Sequence, residues 1–386
     1  FAGQSLWQGG AGEGFLVKVN PAGNIAWASH IDGVNGTTLQ DIAVGADGGV
    51  IVCGYTGGGT LSGPLQFKGT AGTYNLPVLG PYTDAFIAKY SSTGAVLWAR
   101  NVSGPSHQNG YDVAADSAGN VFLLGTMYEA TTFDSSNIAG STYQAPLFTA
   151  AYAPSGFLAK YSASGAYVWS KELAATNGFA PNDVVVDDSG QVFVGGSFQG
   201  AAAAAVSPIQ YVSAGKTDGI VIKYRGSNGN YMWSTRYGSA EHDIVYGLGI
   251  GKSRELYVTG SVGVTTNFNP GGPSGMVTYI DYYPGAYRPR AFLVKYSNPI
   301  ITAGGANLAL NPLQIHPNPT TDAVTIEGAK AGTSYTVRSV LGPQVARGIV
   351  SSSQQTVSLE GLPPGIYIMM LSDKEGTRES ARIIKR

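Results

Sequence analysis

Short apolar runs broken by turns rich in Gly, Asn, Asp and Ser recur along the first three hundred residues, and no helical period accompanies them. In DVAADSAGNVFLLG, from Asp112, two apolar runs flank such a turn, and FIAKYSSTGAVLWAR, from Phe86, does the same around Ser91-Ser92-Thr93-Gly94. Each pattern predicts two strands joined as a tight hairpin. The second hairpin returns as GFLVKVNPAGNIAWA from Gly14, AFIAKYSSTGAVLWA from Ala85, GFLAKYSASGAYVWS from Gly156 and GIVIKYRGSNGNYMWS from Gly219, with a shortened AFLVKYSN from Ala291. Between these copies lies the first hairpin: DIAVGADGGVIVCG from Asp41, then Asp112, DVVVDDSGQVFVGG from Asp183 and GLGIGKSRELYVTG from Gly247.

The spacings separate rigid parts from variable ones. Lys18, Lys89, Lys160, Lys223 and Lys295 are 71, 71, 63 and 72 residues apart. From each of the first four to the next Trp (Trp27, Trp98, Trp169, Trp233) is 9, 9, 9 and 10 residues, and from each Trp to the next Gly (Gly54, Gly125, Gly196, Gly260) is 27 every time. From that Gly to the following Lys is 35, 35, 27 and 35, so nearly all length variation sits in one segment, predicted to be a surface insertion on a constant scaffold. Four strands per unit, repeated radially, predict an all-β propeller of four-stranded blades. A solenoid is the alternative, less favoured because its coils are short and rarely carry paired tight hairpins.

Composition supports strands. Gly is 55 of 386 residues and Tyr outnumbers Phe 23 to 13, which is poor helix material. A hydrophobic content of 43% with net charge −1 is enough to bury a core. Residues 1–300 hold 15 Lys+Arg against 18 Asp+Glu (15 − 18 = −3) and residues 301–386 hold 8 against 6 (8 − 6 = +2), so neither part has the basic footprint of a nucleic-acid binder. No apolar run reaches the ~18 residues of a spanning helix. The single cysteine, Cys53, excludes an internal disulfide framework, and an inert buried thiol is expected inside its strand. A chain beginning at Phe1 without a signal peptide is expected to have further sequence upstream.

The Asp-x-x-Val-Asp-x-x-Gly-x-Val-Phe-Val-x-Gly run of Asp183–Gly196, with the Phe-x-x-Lys-Tyr…Trp hairpin of Gly156–Trp169, resembles the bacterial β-propeller repeats known as SBBP repeats. The resemblance covers residues 1–297 and implies a strand order A to D from the centre outwards, with the Asp-led strand innermost and the Trp strand outermost. Complete blades then span 41–101, 112–172 and 183–236. Residues 1–30 supply strands C and D of a partial blade, and 244–297 supply A, B and C of another. Five blades is the smallest closed ring on this reading, completed only with upstream residues or another chain.

The recurring Trp suits a sugar platform, but equivalent positions in every blade favour packing between blades. The recurring Lys, alternating with apolar neighbours, is expected to pack its stem and reach water or an Asp. Asp47-Gly48-Gly49 and Asp188-Ser189-Gly190 resemble part of a sialidase Asp-box, without the Thr-Trp that would follow. His107 and His242 hold equivalent loop positions, but two imidazoles in non-adjacent blades make a poor metal site. No H-E-x-x-H, G-x-S-x-G or phosphate loop occurs, and no cofactor is expected. The inserts 56–84, 127–155, 198–217 and 262–290 carry Tyr74, Tyr82, Tyr143, Tyr152 and Tyr211 on one face. The candidate ligand face is the last of them, with Tyr279, Tyr282, Tyr283, Tyr287, Arg288 and Arg290, because Tyr and Arg dominate contact surfaces. Packing of these loops on each other and on the rim is the competing account.

After Ser297 the pattern changes. Residues 298–311 read as a linker, and 312–386 as short alternating strands of a small Ig-like β-sandwich. Pro317-Asn318-Pro319 with Asp322, then Leu341-Gly342, Gly365, Tyr367 and the terminal Ile383-Ile384-Lys385-Arg386 resemble the type A C-terminal sorting domain of Bacteroidota proteins exported by type IX secretion. Ser339 departs from the Asp many relatives carry there. The resemblance implies transient passage through the periplasm, an outer-membrane β-barrel carrier and translocon as partners, a sortase-like protease, and attachment to surface polysaccharide or release. The residues RIIKR are expected to offer a free strand edge with local positive charge. The leading expectation is a non-enzymatic binding or adhesion module at the cell surface. The alternative is a glycan-active hydrolase or lyase, which paired inward carboxylates would favour.

Overall fold

A computed structural model of the chain describes residues 12–59, 63–77, 81–133, 142–143, 153–202, 211–252, 254–263, 265–268, 276–278, 289–296, 314–316, 320–327, 331–339, 344–352, 354–372 and 378–386. Among the described residues all regular elements are strands. The chain divides into two compact units, Phe1–Pro299 and Ile300–Arg386.

The first unit is built from repeating antiparallel sheets. Three have four strands in chain order, A to D. The first holds Thr37–Val44, Val50–Thr56, Ala85–Tyr90 and Val96–Val102. The second holds Gln108–Ala115, Val121–Met127, Ser155–Tyr161 and Tyr167–Leu173, and the third Phe179–Val186, Val192–Phe198, Asp218–Tyr224 and Tyr231–Tyr237. A three-stranded sheet follows (Ile244–Ile250, Leu256–Val262, Arg290–Tyr296), and Gly14–Val19 with Ile25–Asp32 make a leading half-blade. Successive A strands lie side by side. These are propeller blades, and their cores form between them: Phe122, Leu158 and Trp169 of one blade pack with Val184, Ile220 and Tyr224 of the next. Val113 and Val184 are buried against the preceding blade, whereas the equivalent Ile42 is 53% exposed beside the half-blade.

The repeated residues make these junctions. The indole Nε1 of Trp27 donates to Ser92 O at 3.1 Å, that of Trp98 to Ala163 O at 3.1 Å and that of Trp169 to Gly226 O at 3.2 Å, each in the C–D turn of the following blade. The turn glycines Gly94 and Gly165 have φ of 89° and 81°, and a Cβ on either would strike the preceding Trp at 2.7 and 2.6 Å. The strand C lysines reach the A–B turn of their own blade: Lys89 lies 2.8 Å from Asp47, Lys223 3.7 Å from Asp187 and Lys295 3.2 Å from Glu255.

The variable inserts do not simply lie on the surface. The insert hairpin Leu65–Gly69/Gly72–Leu76 pairs with Ile25–Asp32, adding two strands to the outer edge of the preceding half-blade. Ser103 bridges Thr132 and Ala175 bridges Ala202, repeating the connection at the next two junctions. At the fourth, Phe268 packs against Tyr237 of the preceding strand D, with ring centroids 5.8 Å apart. An insert Phe also meets the first aromatic residue of its own strand C: Phe67 with Phe86, Phe133 with Phe157 and Phe268 with Phe292, at 5.6, 5.2 and 5.0 Å. The third insert, shorter by eight residues in the Gly-to-Lys spacing (35 − 27), has buried Ala202 and Ile220 in place of that pair. Tyr74 packs against the core, and the Tyr211 hydroxyl donates to Ser234 O at 3.1 Å.

The second unit is a sandwich of two sheets. One holds Gln314–His316, Ala323–Glu327 and Gln354–Ser358, and the other runs Gln344–Ile349, Ser334–Ser339, Gly365–Ser372, Arg378–Lys385. Val324, Ile326, Val337, Val357, Tyr367, Met369 and Ile383 form its core.

Candidate functional site

Each A strand carries a β-bulge at the same place. Pairing with strand B skips Gln40, Tyr111, Asn182 and Tyr246, just before the repeated Asp41, Asp112, Asp183 and, in the last copy, Gly247. A bulge re-aims side chains and breaks the alternation of faces. The Asp carboxyls then bind the next blade. Asp41 accepts from Val113 N at 3.1 Å, Asp112 from Val184 N at 2.5 Å and Asp183 from Leu248 N at 2.5 Å. Burial, followed by hydrogen bonding of the protonated Asp112 carboxyl to its Asp41 and Asp183 neighbours, pushes Asp112 up to about 10. The middle member of the row therefore holds a proton at neutral pH.

The bulged residues converge. Gln40, Tyr111 and Asn182, from three consecutive blades, line one open cleft of about 430 Å³ with Thr126, Tyr128 and Phe179. Thr126 Oγ1 donates to the Tyr111 hydroxyl at 3.3 Å, and Asn182 Nδ2 donates to Val245 O at 2.7 Å. Among the described lining residues there is no Lys, Arg, His, Asp or Glu. Tyr128 continues into an aromatic row, since its ring lies 6.2 Å from that of His107, which lies 5.0 Å from that of Tyr82. Sequence reasoning missed this cleft. The signal available was a polar or aromatic residue before each repeated Asp or Gly, out of phase with the strand's apolar positions.

Both loop histidines have a structural partner. Thr83 Oγ1 lies 3.0 Å from His107 Nδ1, and Thr217 Oγ1 lies 2.9 Å from His242 Nδ1. Among the described residues no three His, Cys, Asp or Glu side chains are grouped to hold a metal ion. Cys53 is fully buried, which pushes its thiol well above the usual range. Of the candidate ligand face, Arg290 opens the last strand C opposite Val262, half-buried. Tyr279, Tyr282, Tyr283, Tyr287 and Arg288 lie outside the described residues.

In the second unit the terminal strand is the last of its sheet, but its end is not a free edge. Thr320 N donates to Ile384 O at 2.9 Å and Arg386 N donates to Thr320 O at 2.8 Å, a parallel bridge that covers the backbone of the last three residues. The Lys385 ammonium, on a buried side chain, donates to Thr321 O. Ile383 is fully buried in the core, so the exposed group is Arg386, with Ile384 half-covered. The expected row of cations and open backbone is thus reduced, because both ends of the segment's hydrogen-bonding capacity are used inside the domain. The Tyr367 hydroxyl donates to Pro363 O at 2.7 Å, closing the turn before its strand. Asp322 contributes its backbone carbonyl to Leu359 N at 2.7 Å, and a Cβ at Gly365 would meet only the Tyr367 ring at 4.0 Å. Pro317, Asn318, Pro319 and Gly342 lie outside the described residues.

The sequence of residues 314–386 matches the family described as the secretion system C-terminal sorting domain. Residues 314–386 are a type IX sorting domain. The sorting domain marks the chain as cargo of that system, exported across the outer membrane to the cell surface or extracellular space. Among the described residues no helix is long and apolar enough to cross a membrane. A stretch of 119 residues is 30% identical to a WD repeat-containing protein (L264) of Acanthamoeba polyphaga mimivirus, over 30% of this chain and 8% of the viral protein. The structure is similar at TM-score 0.25 and 12% identity to PorZ, a surface component of the type IX secretion system of Porphyromonas gingivalis, over 90% of this chain and 45% of that one. It is similar at TM-score 0.24 and 11% identity to the extracellular domain of BT4673 from B. thetaiotaomicron, over 98% and 55%. Likeness at these scores carries nothing about function; the blades rest on the sheet topology above.

Proposed function

We propose that the blades form an extracellular binding module, delivered by the sorting domain and acting in adhesion without catalysis. The observation that carries this reading is the division of labour on the inner strands: the carboxyls hold backbone amides, while the neighbouring bulge residues line an uncharged cleft. A glycan-active enzyme needs two carboxyls about 5 Å or more apart with a sugar between them. Asp41, Asp112 and Asp183 are instead taken up by the backbone amides of Val113, Val184 and Leu248. Delivery would involve an outer-membrane β-barrel carrier reading the sorting domain, passage through the translocon and removal of the domain by a sortase-like protease. The mature blades would then be joined to surface polysaccharide or released.

Two measurements test this on the full chain. Surface display in a type IX-competent host is expected to fall for a chain lacking Ile383–Arg386, with the blades still folded in the periplasm. Display at wild-type level would remove the terminal strand from the recognised element. Purified protein is expected to adhere to cell-surface material without releasing new reducing ends from neutral polysaccharides; turnover there would establish the enzyme reading instead.

A further inference from the structure

Resting on the binding-module reading, we propose that the cleft at the three bulges is a binding site for a neutral oligosaccharide. Gln40, Tyr111 and Asn182 reach it from three consecutive blades, at one repeated backbone irregularity rather than at scattered positions. Their side chains combine donors and acceptors with no net charge. An amide offers both, Tyr111 keeps its own O–H while accepting from Thr126, and Asn182 keeps an acceptor while its Nδ2 holds Val245 O. Such groups match vicinal hydroxyls, which donate and accept together. The aromatic surfaces of Tyr128 and Phe179 supply the apolar part that the C–H face of a sugar ring covers.

The chemistry also selects against other ligands. A sulfated or uronate-bearing glycan calls for a cation, and the described lining residues include no Lys, Arg or His. A basic peptide would seek ionised carboxylates, but Asp41, Asp112 and Asp183 are committed to backbone amides and Asp112 carries a proton. The volume of about 430 Å³ falls within the ~300–1,000 Å³ of ligand sites, and the cleft is open, as a segment of a longer glycan chain requires. The Tyr128–His107–Tyr82 row extends from the cleft as a path along which further sugar rings can stack.

The test uses the full chain on an array of neutral, sulfated and uronate-containing oligosaccharides with basic peptides as a separate arm, followed by calorimetric titration of the strongest neutral oligosaccharide. Binding is expected for neutral oligosaccharides. Tyr111→Phe removes one hydroxyl while keeping the ring, and is expected to weaken binding about tenfold, the cost of roughly one hydrogen bond. Gln40→Ala, at an exposed residue, is expected to do the same with an unchanged thermal midpoint. Neutral oligosaccharides bound no better than acidic ones, or bound equally by both variants, would overturn the proposal, as would selective binding of basic peptides. In those cases adhesion of the wild type to cell-surface material would leave the binding-module reading standing. Absence of any such adhesion would end that reading and this inference together.

Discussion

A carboxyl set between two others, as Asp112 is, keeps its place by holding a proton, and that has a consequence for pH. In the unfolded chain Asp112 titrates in the ordinary carboxylate range, whereas in the folded blade burial and its two neighbours raise it to about 10. The folded state therefore binds the extra proton across that window. The stability tied to it is complete below the unfolded value and is lost as pH rises toward the folded one. Chemical denaturation at pH 5 and pH 9 is expected to show wild type weakening on the alkaline side, with Asp112→Asn nearly flat. Equal slopes would place the proton elsewhere. Trp98→Ala should cost about 3–5 kcal/mol, because it vacates a blade junction and leaves Ala163 O without its donor. These Trp and Lys roles were legible in the sequence, since one residue type at every equivalent position must serve a contact present in every blade. The bulge residues were not legible. Two amides and two tyrosines are not one residue type, and what unites all four is a slip of hydrogen-bond register rather than a shared identity.

At the scale of elements, the strands and turns followed directly from alternation and Gly-rich turns, while the inserts did not. Their partners lie in the previous blade, about forty residues back along the sequence at Ile25–Asp32 and Leu65–Gly69, and no local pattern announces a pairing at that distance. Buried Leu65, Phe67 and Leu76 show that the first insert supplies core as well as edge. Replacing residues 63–77 with a short Gly-Ser turn is expected to lower the thermal midpoint and to speed amide exchange in Ile25–Asp32, the strand it covers. Unchanged exchange would mean the added hairpin stabilises nothing. A finer probe is Tyr161→Phe, which deletes a 2.7 Å bond from the Tyr161 hydroxyl to Phe133 O in the second insert and should cost about 1 kcal/mol.

At the scale of the whole molecule, the division into repeats and a C-terminal sorting domain was legible because the Lys-to-Trp beat stops after Ser297 and a different motif order begins. The accessibility of the terminal residues was not. Residue types alone presented Ile383 to Arg386 as one apolar-basic tag, whereas strand alternation and the Thr320 bridge send Ile383 and Lys385 inwards. Two variants separate folding from recognition. Ile383→Ala should destabilise the sorting domain by about 2–5 kcal/mol. Arg386→Glu should leave its unfolding unchanged while lowering surface display, and a display defect confined to Ile383→Ala would assign the tail to folding alone. The insert of each blade meets the outer strand of the blade before it, by a paired hairpin at the first junction, single bridges at the next two and a ring contact at the fourth, which gives the array a polarity in time. A chain made or threaded from its N-terminus leaves each outer strand uncovered until the insert of the next blade has emerged, so assembly advances like overlapping roof tiles, each course sealing the one before. Duplicating or deleting a whole 71-residue unit reproduces a seam already in use, whereas a cut inside a unit strips the cover from the blade upstream of it.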